Sequence, residues 1–237
     1  MEKKEECSGG RIALGDTVPN FKAATTEGDI DFHEWCGEGW AMLFSHPADF
    51  TPVCTTELAE VAKLADTGFK KRNVKVAALS CDTVESHKAW IKDVEAFAGG
   101  CKVTYPIIGD PERKVAKLYG MLPKSGTLDD PKSGMPLTVR TVFLISNKKL
   151  KMCLTYPASC GRNFNEILRV IDSVQHTVYD KLATPVNWPT GSTGNKCVIA
   201  PCVKKEEADK VFSGYETVKL PSGKPYLRLT DKVPEKK

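Results

Sequence analysis

Cys54 lies in a stretch, residues 46–57, whose residue types could make a thiol into a nucleophile. The apolar run before it, residues 40–44, predicts a buried strand, and apolar residues at helical spacing after it predict a helix. Two prolines between them predict a turn, so Cys54 falls near the first turn of that helix. Free N–H groups and the positive end of the helix dipole favour an anion there, and a thiolate attacks electrophiles.

Reduction of a peroxide by this sulfur would need an ionised thiol, groups that bind the two peroxide oxygens, and protection from competing reactions. Thr51 could hydrogen-bond both the sulfur and a peroxide oxygen, and Pro47 could cover the thiolate. A cation would stabilise the thiolate and the charge that moves onto the peroxide. Arg140 is the best candidate, since an arginine in an apolar strand, here residues 139–145, usually has a buried partner.

Strand and helix patterns alternate along the chain. Strands are predicted at residues 40–44, 74–79, 105–108, 139–145 and 150–156, and helices follow Cys54, Thr83, Asp110 and Asn163. This alternation predicts an α/β domain with a central mixed sheet.

The composition of residues 184–195 is typical of a linker. The residues beyond it are too few for a comfortable core of their own and should pack on the main domain or on a partner subunit. We therefore expect a flexible tail at residues 1–10, a main domain at 11–183, and a small α+β extension at 184–237 that associates with a dimer.

Composition excludes several classes of protein. Hydrophobic content of 41%, charged content of 27% and a net charge of +4 are ordinary for a soluble globular protein, and no arginine-rich block suggests nucleic-acid binding. No apolar run approaches the ~18 residues of a membrane span, so stable membrane insertion is not expected. The polar N-terminus lacks the apolar core of a secretory signal, and we expect a cytoplasmic location.

The nine cysteines have no spacing typical of a disulfide framework or a zinc site. No Cys-x-x-Cys occurs, and the close pair Cys197 and Cys202 has no histidines nearby. The sequence therefore predicts no metal and no cofactor.

The pattern Pro47-x-x-x-Thr51-x-x-Cys54 matches the peroxiredoxin active-site pattern, and its surroundings resemble the one-cysteine class of that family. The resemblance continues through residues 79–82, 105–108, 134–137, Arg140, 156–158, 161–164, 183–188 and 220–224. It covers nearly all of residues 11–230 and is highly specific.

The resemblance implies a thioredoxin-like fold with a C-terminal extension, a homodimer, and reduction of hydrogen peroxide and organic or phospholipid hydroperoxides in antioxidant defence and redox homeostasis. Carried over by position, Cys54 is the peroxidatic cysteine and becomes a sulfenic acid. Thr51 and Arg140 bind and polarise the peroxide, and Pro47 shields the sulfur. In this class His46 lies beside the cysteine, and Arg162 helps to order the pocket through Glu57.

Two departures refine this expectation. The resolving cysteine of the two-cysteine members is missing at Val186-Asn187-Trp188-Pro189, which implies recycling by an external thiol such as glutathione, through a glutathione transferase or a thioredoxin-type protein. Cys197 and Cys202 are expected to be packing residues rather than resolving thiols. Some members are described as phospholipases, but their serine position falls on Gly39 here, although a histidine is present at His33. Without a nucleophile we expect no lipid hydrolysis.

Three other functions fit parts of the sequence. A holdase or interaction protein would leave the peroxidase site vestigial, which the intact set of Pro47, Thr51, Cys54 and Arg140 argues against. A thiol–disulfide oxidoreductase would need a second cysteine near Cys54. A cysteine hydrolase using Cys54 and His46 would lack a third group.

Overall fold

The first seven strands along the chain form one mixed sheet in the computed structural model, which describes residues 12–124 and 127–232. The strands are β1 (Lys22–Thr25), β2 (Gly28–Asp31), β3 (Trp40–Ser45), β4 (Val74–Ser80), β5 (Ile107–Gly109), β6 (Arg140–Ser146) and β7 (Lys149–Tyr156). Their order is β2-β1-β5-β4-β3-β6-β7. The pairs β3–β4 and β4–β5 are parallel, and the other pairs are antiparallel.

Helices connect these strands. They are α1 (Phe32–Cys36), α2 (Pro52–Leu64), α3 (Val84–Phe97) and α4 (Lys114–Leu118), and α2 continues into a π-helical turn at Ala65–Phe69 and a 3-10 turn at Lys70–Arg72. Thr83 caps α3, because its side chain accepts a hydrogen bond from the Ser86 N–H. The predicted mixed sheet flanked by helices is confirmed.

The central strands are apolar because helices cover both faces of a parallel sheet. Every residue of β3 and β6 is buried, and so is all of β4 except Lys75. Leu43, Leu79 and Phe143 belong to a core cluster that also takes in apolar residues of α1 and α4. The strand ends that carry the candidate site are therefore held by a rigid core.

The hairpin between β6 and β7 turns at Asn147 and Lys148. Both residues have positive φ angles, 52° and 57°, which is the backbone of a two-residue turn matched to the twist of its strands. The turn pairs Ser146 with Lys149, and a register shift between Leu144 and Ile145 then brings Arg140 opposite Tyr156. The predicted hairpin is confirmed.

The described residues fall into two units, one ending at Phe164 and one beginning at Asn165. The second unit contains α5 (Phe164–Asp180) apart from its first residue, β8 (Leu182–Ala183), β9 (Cys197–Ile199), α6 (Lys205–Val211), β10 (Glu216–Thr217) and β11 (Arg228–Thr230). These strands form an antiparallel sheet in the order β10-β11-β9-β8. Leu182, Ile199 and Phe212 lie in its own small apolar core.

The second sheet agrees with the small C-terminal α+β element that the sequence predicts. The predicted tail, residues 1–10, lies outside the described residues. Within the described ranges, no helix qualifies as a candidate membrane span.

Candidate active site

Cys54 is the third residue of α2, where the sequence predicts it. Pro52 is the first helical residue, where its fixed φ suits the helix and its missing N–H costs nothing. Thr51 precedes it in extended conformation, and its side chain makes no capping hydrogen bond. Because the first turn of a helix has free N–H groups, the Cys54 sulfur lies at the positive end of the dipole. Cys54 is fully buried.

Arg140, the first residue of β6, places a guanidinium beside this sulfur. Its Nη1 atom lies 3.4 Å from the Cys54 Sγ atom and donates to Glu57 Oε2 at 2.7 Å. Its Nε atom donates to the Ala158 carbonyl at 2.8 Å. These hydrogen bonds fix the orientation of the guanidinium. The sequence predicts one buried partner for Arg140, and the structure provides two, a carboxylate and the thiol.

Glu57 lies one helical turn after Cys54 and is held by Arg162. Arg162 donates to Glu57 Oε1 from its backbone N–H at 2.8 Å and from Nε at 2.9 Å, and to Oε2 from Nη2 at 2.7 Å. The Arg162 guanidinium also lies over the ring of Phe44, 5.1 Å from its centroid. The two arginines and Glu57 are all buried, so the sequence-predicted pocket residues form one ion cluster with Cys54.

The ion cluster fixes the charge state of its carboxylate. Burial alone would raise the pKa of Glu57, but hydrogen bonds and charge from Arg162, together with the charge of Arg140, hold this pKa below its ordinary value. Two guanidinium charges thus face one carboxylate charge. One positive charge remains in excess, and it is the natural counterion of a Cys54 thiolate.

Thr51 and Pro47 belong to the loop that encloses the sulfur. The Thr51 hydroxyl donates to the Ala48 carbonyl at 2.8 Å, whereas we expected it to bond the sulfur. Its oxygen keeps lone pairs that can accept from a peroxide O–H. Pro47 is buried. The bond to Ala48 shapes the loop, which sequence spacing does not reveal.

His46 takes part in a second buried network, which we call the Asp49 network and which comprises His46, Asp49, Ser86 and His87. The Nε2 atom of His46 lies 3.1 Å from Asp49 Oδ1. Asp49 Oδ2 lies 2.8 Å from His87 Nδ1 and accepts from the Ser86 hydroxyl at 2.7 Å. The sequence pattern predicts no functional role for Asp49, Ser86 or His87. His46 and His87 contact different oxygens of Asp49 only in the folded chain, so no local sequence pattern could have revealed this network.

The imidazole and carboxylate groups of His46, Asp49 and His87 lie within 4.8 Å of one another and could hold a metal ion. The sequence predicts no metal, because no Cys-x-x-Cys occurs and the close pair Cys197 and Cys202 has no histidines nearby. Hydrogen bonds account for the observed arrangement, since both Asp49 oxygens already accept bonds from the Ser86 hydroxyl and the two rings.

Burial acts in opposite directions on the two titratable groups that meet at Asp49 Oδ1. It would raise the pKa of Asp49, but hydrogen bonds from His46 and His87 outweigh it and hold that pKa well below its usual range. It lowers the pKa of His46, although the hydrogen bond and charge of Asp49 oppose this. At neutral pH Asp49 is therefore ionised and His46 is neutral.

The remaining residues that the sequence singles out are not among the hydrogen-bond partners described for this cluster. Cys197 is buried, which agrees with the expected packing role, whereas Cys202 is exposed, so the expectation that it packs is wrong; both residues are in the second unit. His33 Nε2 lies 2.8 Å from the Val18 carbonyl oxygen. The absence of lipid hydrolysis, argued from Gly39, stays a prediction.

Comparison with known proteins places this geometry in a family. The family model AhpC/TSA matches residues 14–151. Peroxiredoxin-6 of Gallus gallus is 52% identical over 224 residues, which cover 92% of this chain and 97% of that protein.

Two solved structures are similar over most of their length. A cysteine-to-serine mutant of peroxiredoxin 6 from Arenicola marina superimposes with a TM-score of 0.86 at 49% identity, covering 95% of this chain and 99% of that one. A yeast mitochondrial 1-Cys peroxiredoxin, described by its thiol resolving mechanism via glutathione/thioredoxin systems, gives a TM-score of 0.79 at 44% identity, covering 92% and 99%. The predicted thioredoxin-like fold is confirmed.

Proposed function

This chain belongs to the AhpC/TSA family and is a thiol peroxidase of its one-cysteine class, and from that premise we propose that Cys54 is the sulfur that attacks the peroxide. The observation that carries this assignment is the 3.4 Å separation between Arg140 Nη1 and the Cys54 Sγ atom. Charge-assisted donors of this kind stabilise an anion most where water is excluded.

The proposed step is a nucleophilic displacement. The Cys54 thiolate attacks the terminal oxygen of a hydroperoxide, an S–O bond forms, and the O–O bond breaks. The leaving alkoxide or hydroxide takes a proton and departs as alcohol or water, and Cys54 remains as sulfenic acid. Arg140 stabilises the negative charge as it moves from sulfur to the leaving oxygen.

Other residues of the pocket support this step. Thr51 orients the peroxide through the lone pairs of its hydroxyl, and Pro47 excludes water from the sulfur. Glu57 and Arg162 hold Arg140 in place, because Arg140 Nη1 donates to the carboxylate that Arg162 clamps. His46 belongs to the wall of the pocket through the loop that it shares with Pro47 and Thr51.

An external thiol completes the proposed cycle. A first thiol condenses with the sulfenic acid and releases water, and a second thiol reduces the mixed disulfide. Glutathione, supplied directly or through a glutathione transferase or a thioredoxin-type protein, fits this role, since the yeast relative is described with glutathione/thioredoxin systems. Hydrogen peroxide and organic or phospholipid hydroperoxides are the proposed substrates.

We propose a homodimer whose association involves residues 184–237. Sedimentation of the reduced protein should then give twice the 26.0 kDa of one chain, and removal of residues 184–237 should weaken association. We also propose a cytoplasmic location, which suits an enzyme that depends on a pool of reduced thiols. A fluorescent fusion in the source cells tests it.

Stopped-flow measurement of peroxide consumption by the reduced protein tests the assignment of Cys54. The matched pair is Cys54→Ser and Cys101→Ser, since Cys101 is an exposed cysteine outside the pocket. We expect the unmodified protein and Cys101→Ser to react rapidly and equally, and Cys54→Ser to lose the reaction. Equal, slow rates for all three proteins would contradict the proposed function.

A further inference from the structure

The Asp49 carboxylate joins the loop between β3 and α2 to the first turn of α3. Asp49 itself lies in the loop between β3 and α2, and Ser86 and His87 lie in the first turn of α3. Its Oδ2 atom accepts from Ser86 at 2.7 Å and lies 2.8 Å from His87 Nδ1, and its Oδ1 atom lies 3.1 Å from His46 Nε2. The side chains of Asp49, His46 and His87 are at most 1% exposed, so these bonds form without competition from water.

The hydrogen-bond partners of the His87 ring indicate what each of its nitrogens faces. The Nε2 atom of His87 lies 3.1 Å from the Ile108 carbonyl oxygen, which can only accept, so Nε2 carries a proton. Its Nδ1 atom faces an ionised carboxylate, which also can only accept. Both ring nitrogens of His87 therefore face acceptors, and the ring bridges Asp49 to the backbone of β5.

The partners of His46 leave one of its nitrogens free. Nε2 donates to Asp49, so in the neutral ring the proton is on Nε2 and Nδ1 holds a lone pair. Among the described residues, no hydrogen-bond partner reaches this buried Nδ1 atom. The His46 main chain is fixed independently, because its N–H donates to the Leu79 carbonyl at 2.9 Å and its carbonyl accepts from the Thr138 hydroxyl at 2.6 Å. A buried, unsatisfied acceptor is uncommon in a folded protein and calls for an explanation, such as a catalytic role or a bound molecule.

We propose that Asp49, bridged to His87, is a positioning residue that fixes His46 in the Nε2–H tautomer and so keeps Nδ1 as an acceptor in the peroxide pocket. This inference rests on the proposed function. A peroxide or water O–H that donates to Nδ1 would satisfy the orphaned acceptor. In the neutral Nδ1–H tautomer, the ring would instead turn a lone pair towards the Asp49 carboxylate and present a donor to the pocket.

The charged and titratable groups around His46 are few. Asp49 lies on its own loop and His87 on α3. Asp82, which follows β4, accepts the Asp49 N–H at 3.0 Å and the Ser80 hydroxyl at 2.6 Å. The Trp90 ring is tilted against the His46 ring, with 5.3 Å between their centroids, and carries no charge. Burial lowers the pKa of His46 most strongly, and of the charged or titratable neighbours Asp49 acts on this pKa more than His87 and Asp82 do.

The first test compares Asp49→Asn with Asp180→Asn. Asn keeps the shape of Asp49 but removes its charge and can accept from only one imidazole. Asp180→Asn makes the same change at a His–Asp pair in the second unit, where His176 Nδ1 lies 2.8 Å from Asp180 Oδ2. We expect Asp49→Asn to slow the oxidation of Cys54 by at least about tenfold and to alter the rate–pH profile between about pH 5 and 8. Asp180→Asn should leave both unchanged.

An unchanged rate and profile for Asp49→Asn would overturn the proposal while the proposed function stands. Failure of the unmodified protein to consume peroxide would instead contradict the proposed function itself.

The second test needs no variant of Asp49 and stays informative if Asp49→Asn fails to fold. Nitrogen NMR of the histidine-labelled, unmodified protein distinguishes protonated from unprotonated ring nitrogens, and His46→Gln assigns the signals among four histidines. We expect Nε2 protonated and Nδ1 unprotonated at neutral pH. A protonated Nδ1, or stoichiometric zinc bound to the purified protein through these side chains, would overturn the proposal.

Discussion

The Nη1 atom of Arg140 lies 3.4 Å from the Sγ atom of Cys54, although 86 positions separate the two residues along the chain. Antiparallel pairing of β6 with β3 produces this contact. Phe44 pairs with Val142, so the start of β6 and the end of β3 lie at the same edge of the sheet. The helix that carries Cys54 begins at that edge. The cation and the thiol are therefore positioned by two fully buried strands at the centre of the sheet.

Substitution of Arg140 by Met should slow peroxide reduction without unfolding the protein. Glu57 keeps its bonds to Arg162 in this variant, so no buried carboxylate is left unpaired. Loss of a preorganised donor at the reacting atoms should lower the rate of Cys54 oxidation by about 10²-fold or more. Stopped-flow kinetics measures the rate, and circular dichroism checks the fold.

Arg169→Met is the matched control for that change. Arg169 pairs with Glu166 on α5, where its side chain is 30% exposed. A rate close to that of the unmodified protein is expected. If both arginine variants slowed the reaction equally, the specific role of Arg140 would be wrong.

Glu57→Gln should destabilise the protein strongly. It leaves two buried guanidinium groups without a carboxylate, and breaking a buried ion pair costs about 3–5 kcal/mol. Glu166→Gln, at a partly exposed pair, should cost about 1 kcal/mol or less. Urea unfolding at neutral pH measures both free energies. Similar small losses in the two variants would show that the ion cluster contributes little to stability.

The contribution of Glu57 should depend on pH with a definite sign. Because the pKa of Glu57 in the folded protein is below its ordinary 4.5, the stabilisation is complete above that value and is lost as pH falls through the folded pKa. The difference in unfolding free energy between the unmodified protein and Glu57→Gln should therefore shrink as pH is lowered below 4.5. A difference that stays constant over this range would contradict the assignment.

Oxidation by one equivalent of peroxide should modify Cys54 alone. Mass spectrometry of the intact protein and its peptides should find sulfenic or sulfinic acid on Cys54, and added glutathione should convert the sulfenic acid into a mixed disulfide. Cys197 is buried in the core of the second unit, and desolvation raises the pKa of its thiol, so it is a poor nucleophile. A disulfide from Cys54 to Cys197 or Cys202 would show that the chain supplies its own resolving thiol.

The sequence predicts the reactive sulfur and its cation because each depends on a local pattern. Cys54 follows an apolar run and a pair of prolines, and Arg140 interrupts a strand in which a charge needs a buried partner. Once strands are assigned, the mixed sheet follows from their alternation with helices. Each of these features can be predicted because its pattern lies within a short stretch of the sequence.

The Asp49 network was not predictable in the same way. Asp49 follows a proline in a predicted turn, and His87 lies in a predicted helix. Nothing in the local sequence of either residue indicates that they contact each other. The two meet only because β4 pairs in parallel with β3, which places the start of α3 beside the loop before α2. The bond from the Thr51 hydroxyl to the Ala48 carbonyl is likewise set by loop geometry, not by residue spacing.

Oxidation of Cys54 changes the charge balance of the buried ion cluster. With Cys54 as a thiolate, the charges of Arg140, Arg162, Glu57 and the sulfur sum to zero. Conversion to sulfenic acid removes one negative charge and leaves a guanidinium without compensation, at a site sealed from water. An uncompensated buried charge costs several kcal/mol. The ion cluster is therefore balanced in charge when Cys54 is a thiolate and unbalanced when Cys54 is a sulfenic acid, which is the form that an external thiol must reach.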